Sequence, residues 1–204
     1  VNAAEGRARN RRGEGARLRE EIVRAAAEIL DEGGGEDAVT LRAVARRTGI
    51  AAPSIYRHFA DRDQILLAVV REAFAELKER IEAGLAEVDK PDAQLRSVCT
   101  TYLDFALERP KRYRILFGGV WNAARTAENP EVTTAAEQDV FALLAQAVQG
   151  CADAGLSRST SAFSDATALW AGLHGLAELR PASPMFPWPE GVLEVLVNRL
   201  ALLD

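Results

Sequence analysis

The stretch from Thr40 to Phe59, TLRAVARRTGIAAPSIYRHF, restricts this chain more than any other. It reads as two short helices joined by one tight turn. Thr40 has the side chain of an N-cap, and Leu41, Val44 and Ala45 share one side of the first helix. Gly49 ends that helix. Pro53 falls in the first turn of the second helix, where a missing N–H costs nothing. That helix runs through Ser54, Ile55, Tyr56 and His58 and stops near Phe59. Neither helix is stable alone, because an isolated helix needs about 12–15 residues. Both must pack on a third element, and the segment from Ala16 supplies it. Its Leu18, Ile22, Ala25, Ile29 and Leu30 recur at close to the helical period. The glycines of DEGGGEDA, 31–38, are read as its stop.

Three helices so arranged follow the helix-turn-helix plan, whose second short helix enters the major groove of DNA. Spacing alone does not separate this plan from other all-α proteins with two short helices and a glycine turn. The side chains favour the nucleic-acid reading. Ile50 and Ile55 are placed to face a small core, which leaves Ala51, Ala52, Ser54, Tyr56 and Arg57 at or near the outer side. Tyr56 and His58 carry hydrogen-bond donors, which phosphate oxygens require. Thr40 opens a helix whose free N–H groups and dipole favour an anion. Arg42, Arg46 and Arg47 add charge beside it, and Arg62 lies near the start of the following helix.

The net charge of −5 argues against a uniformly basic nucleic-acid binder, but its distribution matters more. Residues 1–57 hold eleven Arg against nine Asp and Glu, a net of +2, whereas residues 58–204 carry a net of −7. A mildly basic front and an acidic rear fit a protein whose N-terminal end approaches a polyanion. Residues 1–15 read as a flexible Arg-rich arm. The Arg residues within 7–19 either follow the DNA or belong to a solvated tail.

Beyond Asp61, periodicity predicts a helical body. Asp61 caps a long helix through Ile65, Leu66, Val69, Ala73, Leu77, Ile81 and Leu85. Pro91 and Asp92 open another, with Leu95, Val98, Tyr102, Phe105 and Ala106 on its apolar side, broken by ERP at 108–110. A short segment, Tyr113 to Phe117, precedes an irregular connection, GGVWNAARTAENP. Helices follow over about 130–153, 158–179 and 190–203. No strand or internal repeat is apparent, so the reading is all-α with nine helices. No apolar run reaches the length of a membrane span, and the Arg-bearing start lacks the apolar core of a secretory leader. Cys99 and Cys151 lie far apart without metal-ligand spacing and are expected to be reduced core thiols. A cytoplasmic protein with no metal, cofactor or membrane partner is the expectation.

The stretch TLRAVARRTGIAAPSIYRHFADRDQILLAV resembles the N-terminal DNA-binding domain of the TetR family of transcriptional repressors, and the likeness covers about residues 16–66. The family pattern has a Thr opening the second helix, a Gly in the turn, a Tyr-x-His-Phe block ending the third and a basic residue early in the fourth. Here these are Thr40, Gly49, Tyr56, His58 and Phe59, and Arg62. The chain departs from the pattern at Ala51, where a small hydroxyl residue is usual, and carries Arg62 where Lys is frequent. The resemblance assigns Thr40, Tyr56, His58 and Arg62 to the DNA backbone. It places Ala52, Pro53 and Ser54 near the base edges, with Arg42 in reach of a base. Ala and Pro offer only apolar contact, so this reading surface is lean.

The segment WAGLHGLAEL, 170–179, also resembles the Trp-x-x-x-His-Gly segment in the eighth helix of many TetR-family proteins. The implied architecture is a DNA-binding head at 16–61 and an effector-binding and dimerisation body at 62–204. The implied partners are a pseudopalindromic DNA operator, an apolar or aromatic small molecule, and a second copy of the chain. Dimer candidates are Phe163, Leu173, Leu176, Val192, Leu196 and Leu200. Effector candidates are Tyr102, Phe105, Phe117, Trp121, Phe141, Trp170 and His174, with Asn122 and Arg125 as further polar anchors. Read without the resemblance, His174 is also a packing residue, the aromatic side chains are also plain core, and the C-terminal apolar face is also internal. No nucleophile–base–acid set occurs between 91 and 204, so an enzyme is not expected. The alternatives are a helical small-molecule-binding protein or enzyme, and an activator without a ligand.

Overall fold

The structure, a computed structural model, describes residues 14–117 and 130–204. Among them are ten α-helical segments and no strand; one of the two that are single turns, Gly35–Ala38, is left unlabelled. The nine others are labelled α1 to α9 below. The chain divides into two compact units, Val1–Val69 and Val70–Asp204. No helix among the described residues is long and apolar enough to cross a membrane.

In the first unit, α1 (Glu14–Ile29) buries Ile22, Ala25, Ala26 and Ile29, the face that its periodicity predicts. The glycine run does not stop it at Asp31. The helix widens into a π-helical turn, Leu30–Gly34, and then a helical turn, Gly35–Ala38. Glycine tolerates the wider turn, and the buried Leu30 holds its start against the core.

Helix α2 (Leu41–Thr48) begins where the Thr40 Oγ1 accepts the Ala43 N–H at 3.1 Å. At its end Gly49 takes φ +67°, its N–H donates to the Arg46 carbonyl, and the Ile50 N–H donates to the Ala45 carbonyl. This is a Schellman ending, which uses carbonyls the helix leaves open. Helix α3 (Ala52–Ile55) is a single turn, ending earlier than the expected stop near Phe59. Ala51 gives it no side-chain cap, and its continuation is a turn in which the His58 and Phe59 N–H groups both donate to the Ile55 carbonyl. Ile55 is fully buried, while Ile50 is only half-buried. The Asp61 carboxylate then accepts the Gln64 N–H at 2.9 Å and starts α4 (Arg62–Ala86). The first turns of α4 belong to the first unit and bury Ile65, Leu66 and Val69, so the two units divide inside α4, later than the 61/62 boundary read from the sequence.

The second unit contains the rest of α4 and α5 (Pro91–Glu108), α6 (Pro110–Phe117), α7 (Pro130–Asp153), α8 (Ala162–Ala182) and α9 (Val192–Leu200). The ERP sequence interrupts the helix for one residue only, Arg109, so α6 starts at Pro110. Helix α7 packs on α5 and α8, and α9 packs on α8 and α5. At Gly172 a Cβ would lie 2.9 Å from Leu200 Cδ1, so a larger residue there would displace the tips of Leu196 and Leu200 where α9 packs on α8. Arg96 of α5 also pairs with Glu194 and donates to Asn198 at 3.0 Å, both on α9.

Cys99 and Cys151 are both free and fully buried. Burial pushes the Cys99 thiol up to about 12 and raises Cys151 in the same direction. A raised thiol pKa keeps the unreactive protonated form at neutral pH. A colorimetric disulfide reagent at pH 8 should therefore leave both thiols unmodified in the native protein and titrate both after denaturation. Rapid modification of the native protein would contradict this packing.

Candidate functional site

The surface of the first unit is built around α3. Thr40, Arg42, Arg46, Pro53 and Arg57 are exposed, and Ala52, Ser54, His58 and Arg62 are half-buried. The Tyr56 ring is 59% exposed, an unusual position for a large aromatic side chain with no core to fill. Phe59, next to it in the block, is buried instead, with the Arg19 guanidinium 4.7 Å from its ring centroid. The Tyr-x-His-Phe block therefore splits, with one ring in the core and the other outside.

Two arginines have structural partners that the sequence reading did not give them. Arg47 donates to Glu32 at 2.6 Å and to Glu28 at 3.3 Å, tying α2 to α1 and the π-helical turn. The Arg47 hydrogen bond holds the Glu32 carboxyl below its ordinary range. This corrects the expectation that Arg47 simply adds charge beside Thr40. Arg62, expected to face the DNA backbone, turns two donors inward, Nε to the Val39 carbonyl at 2.9 Å and Nη2 to the Glu36 carbonyl at 2.6 Å. Asp37 stands 3.6 Å from the same nitrogen. Arg62 thus braces the turn that delivers Thr40, setting the starts of α2 and α4 side by side.

The second unit contains a cavity enclosing about 400 Å³ of empty space, part of it open to solvent. Little of this space is wide enough for a water molecule, so a larger occupant requires the walls to move. Tyr102, Phe117, Phe141 and Trp170 line it, as the effector reading anticipates. Phe105 does not. It is fully buried under the Arg80 guanidinium, 5.6 Å from the ring centroid, and is a core residue. Trp121, Asn122 and Arg125 lie outside the described residues, as do residues 1–13 of the arm. Behind Tyr102 is a polar group. The Tyr102 and Tyr113 hydroxyls are 3.0 Å apart, and the Tyr113 hydroxyl is 2.6 Å from His174 Nδ1. Burial raises both phenols, so each keeps its proton. With its proton kept, the Tyr113 hydroxyl is placed to donate across this short contact.

Seven further residues of the cavity wall are not among the effector candidates: Phe74, Ile81, Val98, Glu137, Val140, Leu144 and Leu173. Glu137 had a visible signal: it falls on the stripe of α7 that continues through Val140, Phe141, Leu144 and Val148. Burial raises its carboxyl pKa.

A further face concerns α8, α9 and the link between them. Phe163, Leu179, Met185, Phe186 and Val195 are exposed large apolar side chains, with Met185 at 93%. Val192, Leu196 and Leu200 are half-buried. Leu173 and Leu176 are buried in the chain's own core, and Leu173 lines the cavity, which removes both from the candidate dimer face. The helical period placed Leu173 and Leu176 on an apolar stripe without telling which stripe faces inward.

Two family models match the chain. One, described as bacterial regulatory proteins of the tetR family, matches residues 22–69, and the other, described as the Tetracyclin repressor-like C-terminal domain, matches residues 95–201. The fold is similar to that of a TetR family transcription regulator from Marinobacter aquaeolei, at 20% identity and a TM-score of 0.66, covering 95% of this chain and 100% of that one. It is also similar to the TetR family regulator PfmR from Thermus thermophilus, at 21% identity and a TM-score of 0.62, covering 89% and 96%. The fatty acid degradation regulator FadR from Bacillus halodurans matches at 12% identity and a TM-score of 0.70, covering 95% and 97%.

The Thr40 cap supports a two-turn helix that starts this surface. Replacing Thr40 by Ala should lower unfolding stability by about 1 kcal/mol in urea titrations, and Thr40→Ser should restore most of it. Equal stability of Thr40→Ala and the parent chain would show that the cap contributes nothing.

Proposed function

Because this chain belongs to the TetR family of bacterial regulatory proteins, we propose that it acts as a homodimeric transcriptional repressor. In this reading it binds a pseudopalindromic operator and is released by a small-molecule effector. The observation that carries the DNA-binding part is the exposed Tyr56 ring, on a unit that also carries the capped start of α2 and whose short helices are otherwise held by buried anchors.

Thr40, Tyr56 and His58 position the backbone of the operator, since each offers a donor to a phosphate oxygen. Arg42 adds charge at the start of α2. Ala52, Pro53 and Ser54 face the bases, with apolar contact available to a thymine methyl and one hydroxyl able to donate or accept. Arg62 contributes its charge, but its main part is to hold Thr40 in place.

One short reading helix gives little discrimination. Twofold pairing puts two such helices about 34 Å apart, one turn of duplex. The exposed Phe163, Leu179, Met185, Phe186 and Val195 supply apolar material for that pairing, which an isolated chain would leave in water. An effector in the cavity lined by Tyr102, Phe117, Phe141 and Trp170 would bind better to a conformation unfit for the operator. By linkage, the effector weakens DNA binding by the factor with which DNA weakens effector binding.

Tyr56→Phe and His58→Ala variants test the backbone roles. Each should lower affinity evenly across duplex sequences, and Tyr56→Phe should do so without lowering the slope of log K against log salt, because that slope counts phosphates neutralised by cationic side chains and the phenol is a neutral donor. Unchanged affinity in both variants would remove these side chains from the interface.

A further inference from the structure

The effector cavity contains a charge that an apolar occupant does not satisfy. Five aromatic side chains, Phe74, Tyr102, Phe117, Phe141 and Trp170, wall it together with aliphatic groups, and Glu137 is the one ionisable carboxylate among its described lining residues. The side chain of Glu137 is half-buried at the N-terminal end of an otherwise apolar stripe of α7. Its carboxyl pKa is raised by burial alone, and among the described residues it has no ion-pair or hydrogen-bond partner. A carboxylate withdrawn from water without a counter-ion is costly.

Three classes of occupant differ in what they do to that charge. An anion adds repulsion in a cavity with little water. A neutral apolar molecule removes more water from Glu137 and leaves it unpaired. A cation carrying apolar groups pairs with the carboxylate, buries its hydrocarbon against aliphatic walls, and meets ring faces whose quadrupole attracts positive charge. We propose that this cavity takes a lipophilic monocation, such as a quaternary or protonated aromatic amine, with Glu137 as its counter-ion. The proposal rests on the reading of the cavity as the effector site and names the class of effector. The rings packed across the cavity, Phe117 and Trp170 at 6.2 Å and Phe141 and Trp170 at 6.1 Å between centroids, separate to admit it.

The test uses the full chain and two probes of nearly equal size and shape but opposite charge, tetraphenylphosphonium and tetraphenylborate, in titration calorimetry. The parent chain should bind the cation at least about tenfold more tightly than the anion, a difference of about 1.4 kcal/mol. Because a net charge of −5 favours any cation weakly, Glu137→Gln decides the origin of the preference. It should cut cation affinity by about tenfold or more and leave the anion bound no more weakly. Equal binding of the two ions by the parent chain, or a cation preference that survives Glu137→Gln, overturns the proposal. The parent-chain comparison stands even if the variant fails to fold. Operator binding is followed in the same samples. Cation binding without operator release upholds the cation site and overturns release by effector. A chain that binds operator but neither ion keeps the regulator reading and overturns the cation site alone.

Discussion

A helix of one turn has no stability of its own, and α3 exists because Ile55 is fully buried beneath it. The features around it serve that constraint. Gly49 turns the chain sharply enough to bring α3 back against α2, and the Ile55 carbonyl accepts two N–H groups that would otherwise end the helix unpaired. With Ile55 facing inward, Pro53 and Tyr56 must face outward. The outer side of α3 is therefore the complement of the core, and in the proposed reading the single turn offers only small or apolar groups to the bases.

Around this anchor, charge holds the frame and is spent in doing so. Arg47 ties α2 to α1 through Glu28 and Glu32, and Arg62 braces the carbonyls at 36 and 39. Surface ion pairs add little stability one at a time. Their value here is in placement, because Thr40 follows directly on the braced turn. In the second unit the comparable device is hydrogen bonding among buried polar groups. Tyr102, Tyr113 and His174 hydrogen-bond with one another behind the cavity, which leaves Glu137 as the cavity-lining carboxylate without a partner among the described residues.

Much of the head was legible in the sequence, because capping and turn chemistry are local. Thr40, Gly49 and Asp61 act as their types predict, and the TetR membership suggested by the Thr-Gly-Tyr-x-His-Phe spacing agrees with both family models. The length of α3 was not legible, since Tyr56 to His58 have helical character without continuing the helix. The glycine run misled for a related reason: glycine permits a break but does not require one, and Leu30 kept the chain against the core. In the body, periodicity found the helices but not their partners. It could not tell that Phe105 and Leu176 are core, or that Glu137 shares a cavity with rings from four other helices. Nor could it tell, in the head, that Arg62 turns inward. Such facts depend on contacts between segments distant in sequence, which a helical period does not encode.

The central claim is that α3 reads DNA as one half of a twofold pair. The direct measurement is selection of bound duplexes from a random pool by the full chain, followed by sequencing. The account predicts enrichment of a pseudopalindrome whose half-site centres lie about 10–10.5 base pairs apart or a multiple of that. A bound pool that stays random at low salt, or that enriches a single unpaired half-site, would contradict it.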